Sequence, residues 1–228
     1  MSSKLKSLAL AGAALTLSSV ALAQDVPQTA AQRLVPDMAP TIEVTSPNLL
    51  GANGEIDPRF SQYGANTSPE LNWTAGPDGT ASYAVFLEDP IAGMDFTILH
   101  WAVIDIPADV TALPEGVPEG MAVAGLGNTM QAPNIMGNMA YAGPRPPAGP
   151  AHTYHFQVFA LDGDVMFPED MNFAGIIEAM QGHVLAWGEL AAPFTAPADA
   201  APAGNANAGG NGGAGAGANP GAPAPAGN

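Results

Sequence analysis

The chain has 228 residues, no cysteine and 21 acidic side chains against 5 basic ones, for a formal net charge of −16 at pH 7. A field of this sign repels nucleic acid and anionic lipid headgroups, so both are excluded as non-specific partners. Without cysteine the protein has no disulfide, and its hydrophobic core must stabilise the fold.

The amino terminus, residues 1–23, has the pattern of a secretory signal peptide. A positively charged start is followed by an apolar segment at residues 8–20 and by the small-residue cleavage site Ala21-Leu22-Ala23. We expect cleavage after Ala23 and a periplasmic or secreted protein. The apolar segment is shorter than the roughly 20 residues that a membrane-spanning helix needs, so we expect no stable membrane insertion.

The remaining chain divides by composition into three parts. Residues 24–37 are polar with scattered apolar positions and are predicted to be a flexible lead-in. Residues 196–228 are almost wholly Ala, Gly, Pro and Asn, which bury too little apolar surface to offset the entropy of ordering. We therefore predict a disordered tail there and one domain over residues 38–195, large enough for a proper core.

The first strong strand pattern follows a short predicted strand at residues 41–45. Residues 82–89 form a nearly continuous apolar run, which is typical of a central strand covered on both faces. Asp89 closes this run, on the same face as Leu87. A carboxylate there costs free energy unless it is paired, so Asp89 is a candidate site residue. The alternative is an aspartate that caps the turn at Pro90.

The next strand is predicted at residues 98–107, with His100 leading a face that continues through Ala102, Ile104 and Ile106. A long connection rich in Pro, Gly and acidic residues follows. Within it, residues 110–113 are predicted to form at most one helical turn.

A loop rich in glycine and proline at residues 137–151 leads directly into a strand predicted at residues 152–161. Proline fixes φ and restrains the preceding residue, so this loop is stiff. His152 begins the face of the strand that also holds Tyr154, and His155 falls on the opposite face. His100 and His152 each begin a strand face directly after a loop, which indicates a shared site.

One helical pattern is found, at residues 172–181, and Gly182 is expected to end it. His183 is interpreted as a packing or capping residue. Many short strands and about one helix predict a mainly β fold, with antiparallel sheets packed as a sandwich.

Six segments in a fixed order resemble the phosphatidylethanolamine-binding protein (PEBP) family, in its bacterial Raf-kinase-inhibitor-like (YbhB/YbcL) branch. They are Ser68-Pro69-Glu70-Leu71-Asn72-Trp73, Asp89-Pro90, His100-Trp101, Tyr141-Ala142-Gly143-Pro144-Arg145-Pro146-Pro147, His152-Thr153-Tyr154 and Ala179-Met180-Gln181-Gly182-His183-Val184-Leu185-Ala186. The resemblance implies a large central sheet with a smaller sheet packed on it, one or two peripheral helices and a small anion-accepting pocket.

By motif position, the resemblance assigns eight residues to ligand binding: Asp89, His100, Tyr141, Gly143, Pro144, Pro147, His152 and Tyr154. Backbone amides around Gly143 are expected to complete the cradle for an oxyanion. The chain departs from the family's pattern at Ile91 and Gly93, where a second acid and a second proline are usual, and at Thr153, where an arginine is usual. Because an ammonium group would lose its carboxylate partner at Ile91, a phosphate-like anion fits better than phosphoethanolamine.

We therefore expect a binding or regulatory protein for a small anion, with no catalytic residues, no metal and no cofactor. Inhibition of a protein partner is a further role that the resemblance implies. The alternative is a hydrolase or metal-dependent enzyme that uses His100, His152 and Asp89 as acid and base or as metal ligands. The sequence has no Gly-x-Ser-x-Gly, no His-Glu-x-x-His and no cysteine nucleophile. A protein-interaction module with a vestigial pocket is the third interpretation.

Overall fold

The computed structural model describes residues 26–91, 94–165 and 172–201. The predicted signal peptide, Gly93 and nearly all of the predicted tail lie outside these ranges. None of the helices in these ranges has the length and apolar character that crossing a membrane requires.

The described chain contains two antiparallel sheets and two short helices. In chain order the elements are α1 (Ala30–Leu34), β1 (Val44–Thr45), a 3-10 turn (Pro58–Phe60), β2 (Leu71–Trp73), β3 (Ser82–Asp89), β4 (Ile98–Pro107), β5 (Ala112–Leu113), β6 (Met130–Gln131), β7 (His152–Leu161), α2 (Phe173–Met180) and β8 (Val184–Phe194). The larger sheet has the strand order β6-β4-β3-β7-β8, and the smaller has the order β1-β2-β5. The predicted mainly β, two-sheet fold is confirmed.

The large sheet is covered on both faces, because two hydrophobic clusters lie against it. One cluster joins Val85 and Phe156 of the large sheet to Leu71 and Trp73 of the small sheet. The other joins Phe86 and Phe159 to residues of α1 and α2. Every residue of β3 is therefore buried, as its continuous apolar run predicts.

Several elements match their predicted bounds, and others do not. The strands β3, β4 and β7 and the helix α2 lie where the sequence patterns place them, and Gly182 follows α2 with a φ of 81°. Residues 112–113 form a strand that pairs with β2, where a helical turn is predicted. The longest strand, β8, is not predicted at all. Its sequence lacks a clear alternation, and it is stabilised by pairing along the whole length of β7.

The predicted flexible lead-in differs from the structure, because it contains α1. A capping box between Thr29 and Gln32 closes the start of this helix. Two buried side chains of the large sheet then accept hydrogen bonds from its first amides: Glu88 Oε2 from Ala30 N at 2.8 Å and Gln157 Oε1 from Ala31 N at 2.8 Å. Both acceptors are far away in sequence, so local composition could not reveal this docking.

The predicted face of β4 is wrong because the strand contains irregularities. Leu87 pairs with Trp101 and Glu88 pairs with Leu99, which leaves His100 as an extra residue without an opposite partner. This is a β-bulge, and it interrupts the period-two alternation. Ala102 and Ile104 consequently face the helices, whereas His100 lies against Tyr154 on the other side of the sheet.

The buried carboxyl of Glu88 makes stability depend on pH. Desolvation raises the pKa of Glu88 to about 7, opposed by the Ala30 amide, Arg33 and His155 and assisted by Glu189. A raised folded-state pKa means that Glu88 favours folding at low pH and that this contribution is lost as pH rises through 7. In Glu88→Gln, the fall in the free energy of unfolding between pH 5 and pH 9 should be smaller by about 2 kcal/mol.

Urea denaturation of both proteins across this pH range measures the difference. Gln157→Glu is the matched variant, since it adds a second buried carboxyl and should steepen the loss of stability. Identical pH profiles for wild type and Glu88→Gln would show that Glu88 titrates normally.

Candidate anion-binding site

A hydrogen-bonded pair of side chains joins the end of β3 to the start of β7. The ring Nδ1 of His152 donates to Asp89 Oδ2 at 2.8 Å. The Asp89 side chain is 4% exposed and that of His152 is 19% exposed. The predicted pairing of this carboxylate with an imidazole is therefore present. It holds the proton on Nδ1 and leaves Nε2 as the nitrogen available to a ligand.

His100 is the second predicted imidazole and lies deeper than the first. Its Nδ1 donates to the carbonyl oxygen of Ala142 at 2.7 Å, since a carbonyl only accepts. Burial lowers the pKa of His100, despite this hydrogen bond and the nearby charge of Asp89. The ring is consequently neutral at pH 7. Its buried Nε2 has no hydrogen-bond partner in the described part of the chain.

Tyr154 connects the two imidazoles. Its ring centre lies 5.2 Å from that of His100, edge to face, and 6.5 Å from that of His152, nearly parallel. Burial raises the pKa of the Tyr154 hydroxyl far above its ordinary value, and the neighbouring Asp89 carboxylate adds to the effect. The hydroxyl thus stays protonated beside the Asp89 carboxylate. The predicted cluster of Asp89, His100, His152 and Tyr154 is brought together.

A cavity of about 400 Å³ opens beside this cluster, with both Asp89 and His152 in its wall. It is lined by Val26, Asp89, Pro90, Ile91, Ala151, His152, Thr153 and His155. His155 was assigned only to the opposite strand face, and the sequence carries no signal that it reaches the cavity. Its Nδ1 lies 3.0 Å from Glu189 Oε2. His100 and Tyr154 are buried and do not line the cavity.

The remaining predicted ligand-binding residues do not line this cavity. Tyr141 donates its hydroxyl proton to Phe60 O at 2.8 Å, and the Gly143 amide donates to Asn66 Oδ1 at 2.8 Å. The expectation that the Gly143 amide is available to an oxyanion is therefore not met. Pro144 is buried and Pro147 half-buried in the same loop, and neither is in the cavity wall.

The glycine- and proline-rich loop is instead held by a segment that sequence reasoning missed, residues 60–66. Gln62 Nε2 donates to Gly143 O at 2.8 Å, and the Tyr63 hydroxyl donates to Pro146 O at 2.6 Å. Asn66 reaches the loop from a backbone conformation with a φ of 53°, which asparagine tolerates better than most residues. No sequence pattern identifies these partners, since they are about 80 residues from the loop.

The donor groups do not assemble into a metal centre. Within residues 26–91, 94–165 and 172–201, no group of three His, Asp or Glu side chains is arranged to hold a metal ion. The Nδ1 atoms of both site imidazoles are already bonded to oxygen acceptors. The arrangement offers the ring Nε2 of His152 at a cavity wall, backed by the Asp89 carboxylate.

Comparison with known proteins gives consistent matches. The family model described as "Phosphatidylethanolamine-binding protein" matches residues 46–195. A UPF0098 protein of Methanothermobacter thermautotrophicus is 36% identical over 132 residues, which cover 58% of this chain and 85% of that protein. The UPF0098 protein YbcL of Escherichia coli is 37% identical over 127 residues, covering 55% of this chain and 67% of YbcL.

The crystal structure of Escherichia coli YbcL, described as a new member of the mammalian PEBP family, superposes with a TM-score of 0.60 at 30% identity. The superposition covers 68% of this chain and 99% of the YbcL chain.

The close approach of residues 60–66 to the loop predicts a strict requirement for glycine at position 143. A Cβ atom added there would lie 2.0 Å from Phe60 O, so the backbone must move to admit it. Gly143→Ala should reduce the free energy of unfolding by about 2 kcal/mol. Gly163→Ala is the matched control, since its added Cβ meets nothing within 4 Å. Equal melting temperatures for the two variants would contradict this close approach.

Proposed function

This chain belongs to the phosphatidylethanolamine-binding protein family, in the branch of the bacterial YbhB and YbcL proteins, and we propose that it binds a small phosphate-like anion in the cavity beside His152. The observation that carries this proposal is the 2.8 Å hydrogen bond from His152 Nδ1 to Asp89, next to a cavity of about 400 Å³. A protonated imidazole held in this way donates from Nε2 to an anionic oxygen as a charge-assisted hydrogen bond.

The proposed site combines the carboxylate of Asp89 with a protonated His152. The buried carboxylate of Asp89 compensates the charge of a protonated His152, so the imidazolium need not be neutralised by solvent. His100 remains neutral and contributes packing and orientation through Tyr154. His100 therefore adds no positive charge for the anion, which predicts modest affinity in a protein whose net charge of −16 opposes anions at long range.

The cavity wall favours a simple oxyanion over a zwitterionic headgroup. Ile91 lines the cavity where the family's pattern has an acid, so an ammonium group would find an apolar side chain there. The second departure, at Gly93, lies outside the described residues. We assign the ligand to phosphate and small phosphomonoesters.

We propose binding rather than catalysis as the role of this site. His100, which the hydrolase alternative uses with His152 as acid and base, has a buried Nε2 and does not line the cavity. Generic phosphate and acyl esters should show no turnover above the rate in buffer. Turnover that Asp89→Asn abolishes would replace this assignment with the hydrolase.

We also propose that the protein acts outside the cytoplasm, where an anion-dependent contact with a protein partner is the regulatory role to test. Support comes from the signal-peptide pattern of residues 1–23. Mass spectrometry of the exported protein should find Gln24 as its first residue. An intact amino terminus in the cytoplasmic fraction would contradict export.

Anion affinity should depend on pH, with His152 as the principal donor to the anion. Sulfate is the suitable probe, because its own charge is constant between pH 8 and pH 6. Its affinity should rise as pH falls across this range, since the ligand favours the protonated imidazole. In His152→Gln the affinity should be low and its rise towards low pH smaller than in the wild type. Isothermal titration calorimetry at fixed ionic strength measures both proteins.

His100→Gln is the matched control for this titration. Burial lowers the pKa of His100 and its ring does not line the cavity, so its loss should leave the pH dependence largely intact. A flat sulfate titration in the wild type, or a pH dependence lost in His100→Gln and kept in His152→Gln, would overturn the proposed site.

A further inference from the structure

A second and larger cavity lies between the two helices and the loops at the edge of the large sheet. It has a volume of about 680 Å³ and is separate from the cavity beside His152, with no lining residue in common. Its walls are Pro27, Gln28, Arg33, Asp95, Phe96, Thr97, Leu99, Pro133, Asn134, Ile135, Asn172, Phe173 and Ala174. This volume is within the range of small-molecule sites, which are mostly apolar with a few polar groups.

The apolar part of this groove is exposed to an unusual degree. Phe96 and Ile135 are each 52% exposed although both are large hydrophobic side chains. The aromatic ring of Phe173 and the side chain of Leu99 continue the same wall. Contiguous exposed apolar surface of this kind marks binding sites on soluble proteins.

The groove also carries one positive and one negative side chain. Arg33, in the last turn of α1, and Asp95 both line it, and in the described chain neither forms an ion pair. Arg33 is one of only five basic residues in a chain with 21 acidic ones, so an unpaired guanidinium is notable. An anion alone would be repelled by Asp95 and a cation alone by Arg33. A ligand with both charges satisfies both side chains.

The side of the groove that carries Arg33 is anchored to the rest of the fold. The capping box and the hydrogen bonds to Glu88 and Gln157 hold α1 against the large sheet. The Thr97 hydroxyl donates to Gln28 O at 2.9 Å, which ties the segment before α1 to the loop that holds Asp95. The backbone positions of the two charges are thus set relative to each other.

We propose that this groove binds a short apolar peptide with free ends. The peptide's carboxylate pairs with Arg33, its ammonium group pairs with Asp95, and its apolar side chains cover Phe96 and Ile135. This ligand class uses all three features of the groove at once. The proposal does not depend on anion binding at His152, because the two cavities share no residue.

The test compares three forms of one probe, leucyl-phenylalanine: the free dipeptide, its N-acetyl derivative and its C-terminal amide. Binding is followed by NMR titration up to about 10 mM, the weak end of specific binding. The free dipeptide should bind about tenfold more tightly than either blocked form, since each blocked form loses one charge-assisted hydrogen bond. Shifts should concentrate at Phe96, Leu99 and Ile135.

Two charge variants assign each end of the peptide. In Arg33→Gln, the free dipeptide and its amide should bind equally, whereas the penalty for N-acetylation should persist. In Asp95→Asn the pattern should reverse. Arg145→Gln and Asp109→Asn are the matched controls, since both residues are exposed and lie outside the groove. Both controls should retain wild-type preferences.

Three results would overturn the proposal. They are no binding of the free dipeptide, equal binding of its three forms, and a preference that Arg33→Gln and Asp95→Asn leave unchanged. Sulfate binding at His152 is measured on the same variants and should not change, so failure at one cavity is distinguishable from failure at the other.

Discussion

The antiparallel pairing of β3 with β7 is the constraint on which the site depends. Their register places Glu88 opposite His155, so the end of one strand lies beside the start of the other. This brings Asp89 to within 2.8 Å of His152, although 63 residues separate them along the chain. The hydrophobic clusters on both faces hold the register, because a slip by one residue would move each buried side chain to the opposite face and out of the cluster in which it packs.

Several polar groups are buried around this pairing with incomplete hydrogen bonding. Glu88 Oε1, Gln157 Nε2 and His100 Nε2 have no hydrogen-bond partner in the described part of the chain. Each such atom costs free energy, so its presence in the interior needs a structural explanation. For Glu88 and Gln157, the explanation is that their side-chain oxygens accept the hydrogen bonds that dock α1, a helix too short to be stable by itself. For His100, the adjoining pair of His152 and Asp89 explains why an imidazole occupies an otherwise apolar interior.

The glycine- and proline-rich loop illustrates how one sequence pattern supports two interpretations. Its stiffness and its position before His152 indicate a wall of the ligand site. In the structure its polar groups are hydrogen-bonded to residues 60–66. Glycine is required at position 143 because Phe60 O leaves no room for a side chain. The loop therefore positions His100 through the Ala142 carbonyl and reaches the cavity beside His152 at Ala151, the residue before β7.

The sequence by itself determined the mainly β class, the bounds of β3, β4 and β7, and the candidates Asp89, His100, His152 and Tyr154. Each of these depends on local alternation or on ordered short motifs. Only the tertiary structure decided the pairing of β8, the docking of α1 and the face of His100. Residues 60–66 become partners of the glycine- and proline-rich loop only when the chain folds. The same holds for Glu189 and His155. The bulge at His100 likewise arises from cross-strand pairing, which a one-dimensional period cannot encode.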